Sequence, residues 1–568
     1  MSVSRERQRF PTRNYPYRAA PAGEVSPPDA VPPEPNKLHR FVLGLDSQPR
    51  PMTPEELETL EDPFGRLLRS GKPFPLTLQQ LLADLDALNG APNALSDQLI
   101  FLVADGGHVP WTPDTDELER AFRFAIARGN GEFSLLISSS TAIDSTKDGA
   151  FLQIIGWDAT HEVFHYYERR AGTYFWAGMS PHALEDATRG KGPFDSHVNG
   201  SMVMKELRPP WIHWHAPQAG INEEAFAPDD PLREHPLFKN RVTAERLEIE
   251  VVRPAIRRWN EARVRKAIGA DGVWRHVSHF LRQAITDTTV NLASSDTASR
   301  LLTSDLPVRP PFSFFLNRDT LFDTLGLTSD QIELTDILIP GSLYLDCLTR
   351  FDVHRSDGHI RLAGDSHFAF LTPEPAFEDT HLVEALVQAG LLSRRFVACL
   401  TMTDFTNPVF SDRRAALLRY VPDEVSNAIS AQAMESQFVT AVRDAVSTGA
   451  NGAAQADSPE REFLSNWDTE DFEPVFIQRI AGYCQALTAG MTDPEVVDGW
   501  FRLMEYRRRR FRRRPLAEFS LTTPRTNIPE NAPPLRMNQQ GRVEPVNLAT
   551  PPSDNSPTTE PTPKAQSE

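Results

Sequence analysis

The sequence predicts an α+β fold: a mixed sheet packed by helices in the N-terminal half, a predominantly helical C-terminal third, and two disordered ends. Three observations carry this. Between residues 99 and 177, short runs rich in β-branched and aromatic residues alternate with turn residues at close spacing, as strands and hairpins do. From about residue 435, apolar positions recur at helical spacing with capping residues in place. Much of the excess among the 48 prolines sits in the two ends, where large apolar groups are scarce. These texture changes divide the chain into an arm at 1–37, an α+β region at 38–300, a second α+β segment at 301–425, a helical region at 426–528 and a tail at 529–568.

Thr53-Pro54-Glu55-Glu56 starts a helix, with Thr53 as N-cap and Pro54 at the first helical position. Thr77 to Leu88 predicts a second helix, with Leu78, Leu81, Leu82, Leu85 and Leu88 on one face. Leu99 to Ala104 is an apolar run closed by Asp105-Gly106-Gly107, as in a buried strand. Asp116 to Arg128 reads as a helix stopped by Gly129, and Phe133 to Ile137 as a strand. AFLQIIGW, EVFHYYER and TYFWAG then read as a three-stranded meander, with breaks at Asp158 to Thr160 and Ala171-Gly172.

Beyond the meander, Pro-rich residues 221–240 read as a surface loop, and Leu247 to Ile268 as a segment that begins strand-like or helical and becomes a helix, with Ile256, Trp259, Val264 and Ile268 alternating with arginines on a solvated face. LPVRPPFSFFLNRDTLF reads as a linker or seam. Ile337 to Leu348 reads as strand, turn, strand, His354 to His359 as a hairpin turn, and FVACLTMT (Phe396–Thr403) as a buried strand. Helices follow at Glu435–Thr448, Phe472–Ala489 and Asp493–Arg510, the last with Asp493 as N-cap and Pro494 at N1. It runs into Arg507–Arg514, RRRRFRRR, which suits phosphate or an acidic partner but complements a helix C-terminus and an acidic protein equally well.

A formal charge of −18 argues against general nucleic-acid binding. Three widely separated cysteines build neither a disulfide framework nor a thiolate metal cluster, which fits a reducing compartment. The N-terminus carries charge with no apolar stretch behind it, and no run approaches the roughly 18 apolar residues of a membrane span. A soluble, cytoplasmic protein acting on a small molecule is expected, without nucleic-acid or membrane partners.

Candidate chemistry concentrates between 161 and 215, which holds His161, His165, His182, His197, His213 and His215 of the fifteen histidines. In WIHWH (Trp211–His215), prolines on both sides isolate a short extended segment. Successive strand side chains alternate, so His213 and His215 share a face and can chelate one ion, with His197, Asp195 or Glu206 completing the shell. A second motif, HEVFH (161–165), matches H-E-x-x-H, in which His161 and His165 hold zinc, Glu162 activates water, and Glu185 has the spacing of a third ligand. That chemistry needs a helix. Val163, Phe164, Tyr166 and Tyr167 favour a strand, which would separate the two histidines by about 13 Å. His276 and His279 read as core histidines, while His354, His359 and His367 form a second, weaker cluster.

No G-x-S-x-G elbow, Walker A loop or G-x-G-x-x-G turn occurs. The expected function is a metal-dependent oxidoreductase with iron or copper on His213, His215 and His197, and Asp195 as a catalytic carboxylate. The alternatives are a zinc hydrolase on HEVFH and a non-catalytic binding or assembly protein.

Overall fold

The computed structural model describes residues 34–88, 94–103, 111–113, 122–146, 150–170, 172–202, 223–242, 246–295, 303–327, 337–357, 360–365, 369–427, 430–513 and 523–546. The fold is α+β, as the sequence predicts. Its centre is an eight-stranded mixed sheet built from β1 (Leu38–Arg40), β2 (Arg50–Pro51), β3 (Asp97–Val103), β4 (Arg123–Asn130), β5 (Glu132–Ser140), β6 (Leu152–Asp158), β7 (Val163–Arg170) and β8 (Thr173–Met179). The strand order is β2-β1-β8-β7-β6-β5-β4-β3. β3 to β8 form an antiparallel meander, and β1 joins it parallel to β8.

Both faces of this sheet are covered. Ile100, Phe124, Ile137 and Ile154 pack on one side against α2 (Pro63–Leu68) and α3 (Leu78–Asp86), which follow α1 (Pro54–Glu58). Beyond α4 (Pro236–Lys239), α5 (Arg253–Arg265) covers the other side, where Ile256 and Trp259 meet Leu136, Ile155 and Trp157. Burial on both faces removes the alternation of polar and apolar residues that marks a half-exposed strand. That is why RFAIAR, read as the end of a helix over Asp116–Arg128, is instead β4, hydrogen-bonded to β3 and β5. Thr53 caps α1, as the sequence predicts, and Thr77, read as the first residue of the second helix, is the N-cap of α3; both close full capping boxes.

Asp62 caps α2, accepting from the Phe64 and Gly65 amides at 3.0 and 3.2 Å and from the Tyr167 hydroxyl at 2.5 Å. It sits directly over Gly156 in β6, where an added Cβ would lie 2.2 Å from Asp62 Oδ1. Gly156→Ala should therefore destabilise the chain by roughly 1–3 kcal/mol, the range for an overpacked core. Equilibrium denaturation checks this, and an unchanged midpoint would mean that Asp62 can leave the strand surface freely.

The second half is helical: α6 (Val277–Ile285), α7 (Arg318–Leu325), α8 (Gly341–Arg350), α9 (Phe377–Gln388), α10 (Arg394–Met402), α11 (Asp412–Ala416), α12 (Ala431–Thr448), α13 (Pro459–Trp467), α14 (Phe472–Gly490) and α15 (Pro494–Arg512). One apolar cluster runs from Val264 to Met537. Phe314, Phe315 and Leu316, in the stretch read as a linker, are fully buried within it. Two further readings change. Ile337–Leu348, expected as strand-turn-strand, is a bridge at Ile339 followed by α8, and FVACLTMT is α10. A run of eight residues with no charged side chain, buried throughout, carries no period that separates strand from helix. Residues 529–546, expected in the tail, form a hairpin of Leu535–Met537 and Val543–Pro545, with the Trp500 indole donating to the Gly541 carbonyl at 2.7 Å.

The Arg507–Arg512 run docks inside the molecule. Arg508, Arg509 and Arg512 stand three, four and seven residues after Glu505, one helical face, and all three bond its buried carboxylate. Arg510 pairs with Asp412, and Arg507 donates to the Phe314 carbonyl. Among the described residues, no helix is long and apolar enough to cross a membrane.

Candidate functional site

The most unusual chemistry lies where α5, α6 and α9 meet the chain after β8. α9 opens with Phe377-Glu378-Asp379-Thr380-His381, an acidic first turn of the kind a helix N-terminus favours. Here both acids are buried, because Glu378 and Asp379 lie on faces shared with Leu382, Val383 and Leu386. Asp379 is saturated: Oδ1 accepts from the Thr288 hydroxyl (2.5 Å) and Gln283 Nε2 (2.8 Å), and Oδ2 from the Thr288 amide (3.1 Å). Glu378, 1% exposed, has no hydrogen bond of ordinary geometry closed on either carboxyl oxygen. The Asn199 side chain lies beside it as a further hydrogen-bonding neighbour, while its amide also donates to Thr288 (2.7 Å) and Asp379 (3.4 Å).

Burial, and then the neighbouring Asp379 charge, push the Glu378 carboxyl up to about 8, with Asn199 and Arg263 offsetting part of the rise. Burial likewise raises Asp379 to about 7 against its hydrogen bonds. The balancing cation is Arg263 of α5, 6% exposed, whose guanidinium burial depresses to about 10. Its Nε and Nη2 donate to Asn260 Oδ1 at 3.2 and 2.9 Å, and Nη2 also reaches Gln283 Oε1. Arg263 Nη1 has no partner. Asn260 Nδ2 donates to the Glu378 carbonyl (3.2 Å) and lies 3.4 Å from His381 Nδ1, and burial lowers His381 to about 4, which keeps it neutral.

The HEVFH motif is a hairpin and not a helix. His161 and Glu162 form the turn before β7, with Glu162 at φ 56°. The turn brings the two histidines closer than a continuous strand would. His161 Nδ1 and His165 Nε2 lie 2.7 and 3.3 Å from the same Asp158 Oδ2. The Trp176 indole, which can only donate, bonds His165 Nδ1 at 3.0 Å, so the ring proton sits on Nε2 facing Asp158. That tautomer offers no lone pair to a metal beside Asp158, and the site does not fit zinc. Glu162 is turned away, paired with Arg265 (2.5 Å) and Lys266 (2.9 Å). Glu162→Ala should change stability by less than about 1 kcal/mol, as exposed ion pairs do, and should find no peptidase activity to remove. Peptidase activity of the wild type that vanishes in this variant would restore the motif as a zinc site.

His197 is half-buried, its ring 5.5 Å from Tyr166, and Asp195 ends a short 3-10 turn two residues before it. Glu185 lies in the turns after β8. His213, His215 and Glu206 fall in 203–222, outside the described residues, as do His359 and His367. The chain is fixed at the start of that segment: the Asn199 carbonyl accepts from the Trp259 indole (2.7 Å) and the Ser201 carbonyl from the Tyr166 hydroxyl (3.1 Å). Among the described residues, no group of three or more histidine, cysteine, aspartate or glutamate side chains is arranged to hold a metal ion.

Glu378, Asp379 and Arg263 were not singled out in the sequence. One signal was available, since neither acid has a Lys or Arg three or four positions on: those positions hold His381 and Leu382 after Glu378, and Leu382 and Val383 after Asp379. Compared with known proteins, the chain matches no family model, no curated protein and no solved structure.

Proposed function

We propose that this protein is an enzyme that moves a proton to or from a small-molecule substrate, with Glu378 as general acid. The observation that carries this reading is a carboxyl buried beside a second buried acid, Asp379, with no hydrogen bond of ordinary geometry closed on either oxygen; burial and the Asp379 charge push it up to about 8. An unsatisfied buried polar group costs stability, and such groups gather at functional sites. The other buried carboxyls at Asp62, Asp379 and Glu505 are bonded, so Glu378 is not a general habit of this fold. A general acid works best with its pKa near the working pH. Asp379 acts as a positioning residue whose charge keeps the Glu378 proton in place, and Arg263 balances both.

The test is solvent exchange. Small carbonyl compounds incubated with the protein in deuterated water should take up deuterium beside the carbonyl, and Glu378→Gln should abolish the uptake. Uptake that survives in that variant would remove Glu378 from the chemistry.

A second reading, a metal-dependent oxidoreductase with iron or copper on His213, His215 and His197 and with Asp195 as the catalytic carboxylate, keeps the support of the H-x-H spacing. The 203–222 segment also leaves the described chain at Met202, three residues after Asn199 of the carboxyl cluster. Neutral imidazoles are needed for such a site, so metal should be lost as pH falls below about 6.5. Elemental analysis checks it: stoichiometric metal lost in His213→Ala and His215→Ala supports this reading, and a metal-free wild type ends it.

A further inference from the structure

We infer that His161, in the turn between β6 and β7, is a phosphoryl-acceptor site whose Nε2 takes the group from a small donor of the phosphoramidate or acyl-phosphate class. The site stands apart from the carboxyl cluster and uses none of its residues. It is built on Asp158, which is fully buried. Asp158 Oδ1 accepts from the Thr160 and His161 amides at 2.8 and 2.9 Å. Oδ2 meets the His161 and His165 rings at 2.7 and 3.3 Å and accepts from the Glu61 amide at 3.3 Å. Burial opposes its charge, but the bonds from both imidazoles outweigh that and hold the carboxyl far below the usual range. An ionised carboxylate only accepts, so the neutral His161 ring carries its proton on Nδ1 and its lone pair on Nε2. The His165 side chain is 5% exposed, whereas that of His161 is 51% exposed and open to an electrophile.

The imidazole is also held in place. Its residue's amide is fixed on Asp158, and its carbonyl accepts from Lys266 Nζ at 2.8 Å. Glu162, next in the chain, sits at φ 56°, a strained conformation for a non-glycine residue and one that collects at functional sites. A carboxylate behind an oriented imidazole stabilises the imidazolium that forms when the other nitrogen attacks. Charge selects the electrophile. Lys266 and Arg265, both largely exposed, stand against the single carboxylate of Glu162 at 2.9 and 2.5 Å. That leaves one positive charge in excess beside His161, which favours a phosphoryl dianion over a neutral acyl group. In the step, the Nε2 lone pair attacks phosphorus and an N–P bond forms. The P–N bond of phosphoramidate breaks, and ammonia leaves with that bond's electron pair. The proton on Nδ1 stays in place, and the Asp158 charge offsets the phosphorylated imidazolium.

The experiment incubates the full chain with potassium phosphoramidate at neutral pH and follows individual histidines by peptide mass spectrometry and phosphorus NMR. The reference within the same molecule is His276, which is exposed and stacks on the His279 ring at 5.0 Å. His161 should be phosphorylated at Nε2 about tenfold faster than His276, the factor that one charge-assisted hydrogen bond to the imidazolium supplies. Asp158→Asn should bring the His161 rate down to that of His276. Lys266→Gln, at an exposed position, should slow phosphoramidate more than it slows the neutral reagent diethyl pyrocarbonate, so the test holds even where Asp158→Asn does not fold. A His161 rate no greater than that of His276, or a product at Nδ1, overturns the site. Preferential reaction of His161 with diethyl pyrocarbonate alone overturns the phosphoryl assignment.

Discussion

Replacing Glu505 by glutamine should cost about 3–5 kcal/mol, because it leaves a buried cluster of arginines without its counter-charge. Glu505 is 1% exposed and is the shared acceptor for Arg508 (2.7 and 3.0 Å), Arg509 (3.2 Å) and Arg512 (2.7 Å). Burial alone would raise its carboxyl, but Arg508 and Arg512 outweigh that and hold it below the usual carboxylate range. A depressed acid stabilises the fold above its unfolded value of 4.5, and that contribution is lost as pH falls through the folded value. The variant should therefore melt roughly 10 °C lower at neutral pH and lose part of the wild type's acid sensitivity. A midpoint within about 1 kcal/mol of wild type would show that the arginines find water or other acceptors, and that Glu505 does not hold α15 in place.

Glu378→Gln should do the opposite and stabilise the protein at alkaline pH. Here the folded values are raised, to about 8 for Glu378 and about 7 for Asp379, against 4.5 and 3.8 when unfolded. Between those limits the folded state holds protons that the unfolded state has released, so stability falls as pH rises. Below about pH 4 the two groups contribute no difference, and above about pH 8 the full loss is in place. Removing the Glu378 carboxyl should recover on the order of 4 kcal/mol at pH 8 and little at pH 4. The difference between variant and wild-type unfolding free energies, measured from pH 4 to 9, checks the sign. A variant that is equally destabilised at every pH would make Glu378 an ordinary structural carboxyl.

Residues that determine structure through near neighbours were legible in the sequence. Thr53-Pro54 and Asp493-Pro494 announce helix starts because a cap needs only the next three residues. The meander from Leu152 to Met179 shows in its β-branched and aromatic runs and their short breaks. Elements buried on all sides were not legible. RFAIAR and FVACLTMT lose their periodicity because they have no solvent face, whereas Ile337–Leu348 misled through Pro340-Gly341, which opens a helix and does not make a turn between strands. The carboxyl cluster was hidden for another reason: its parts come from Asn199, Arg263, Gln283, Thr288 and Glu378, residues that only the tertiary fold brings together. Histidine density pointed elsewhere, to residues 161–215. There the structure ties His165 to Trp176 and Asp158, while His213 and His215 stand outside the described residues.

The proposed chemistry depends most on the protonation of Glu378, and difference infrared spectroscopy reads it directly. Spectra of wild type and Glu378→Gln, recorded from pH 5 to 10, should differ by one protonated-carboxyl C=O stretch. That band should persist through neutral pH and disappear with a midpoint near 8. The subtraction removes Asp365, whose carboxyl burial pushes up to about 7, while Asp379, coupled to Glu378, contributes only a shift of its own band. A wild type that shows no such extra band at pH 6 to 7, with Glu378 ionised throughout, would contradict the acid at the centre of the proposed chemistry.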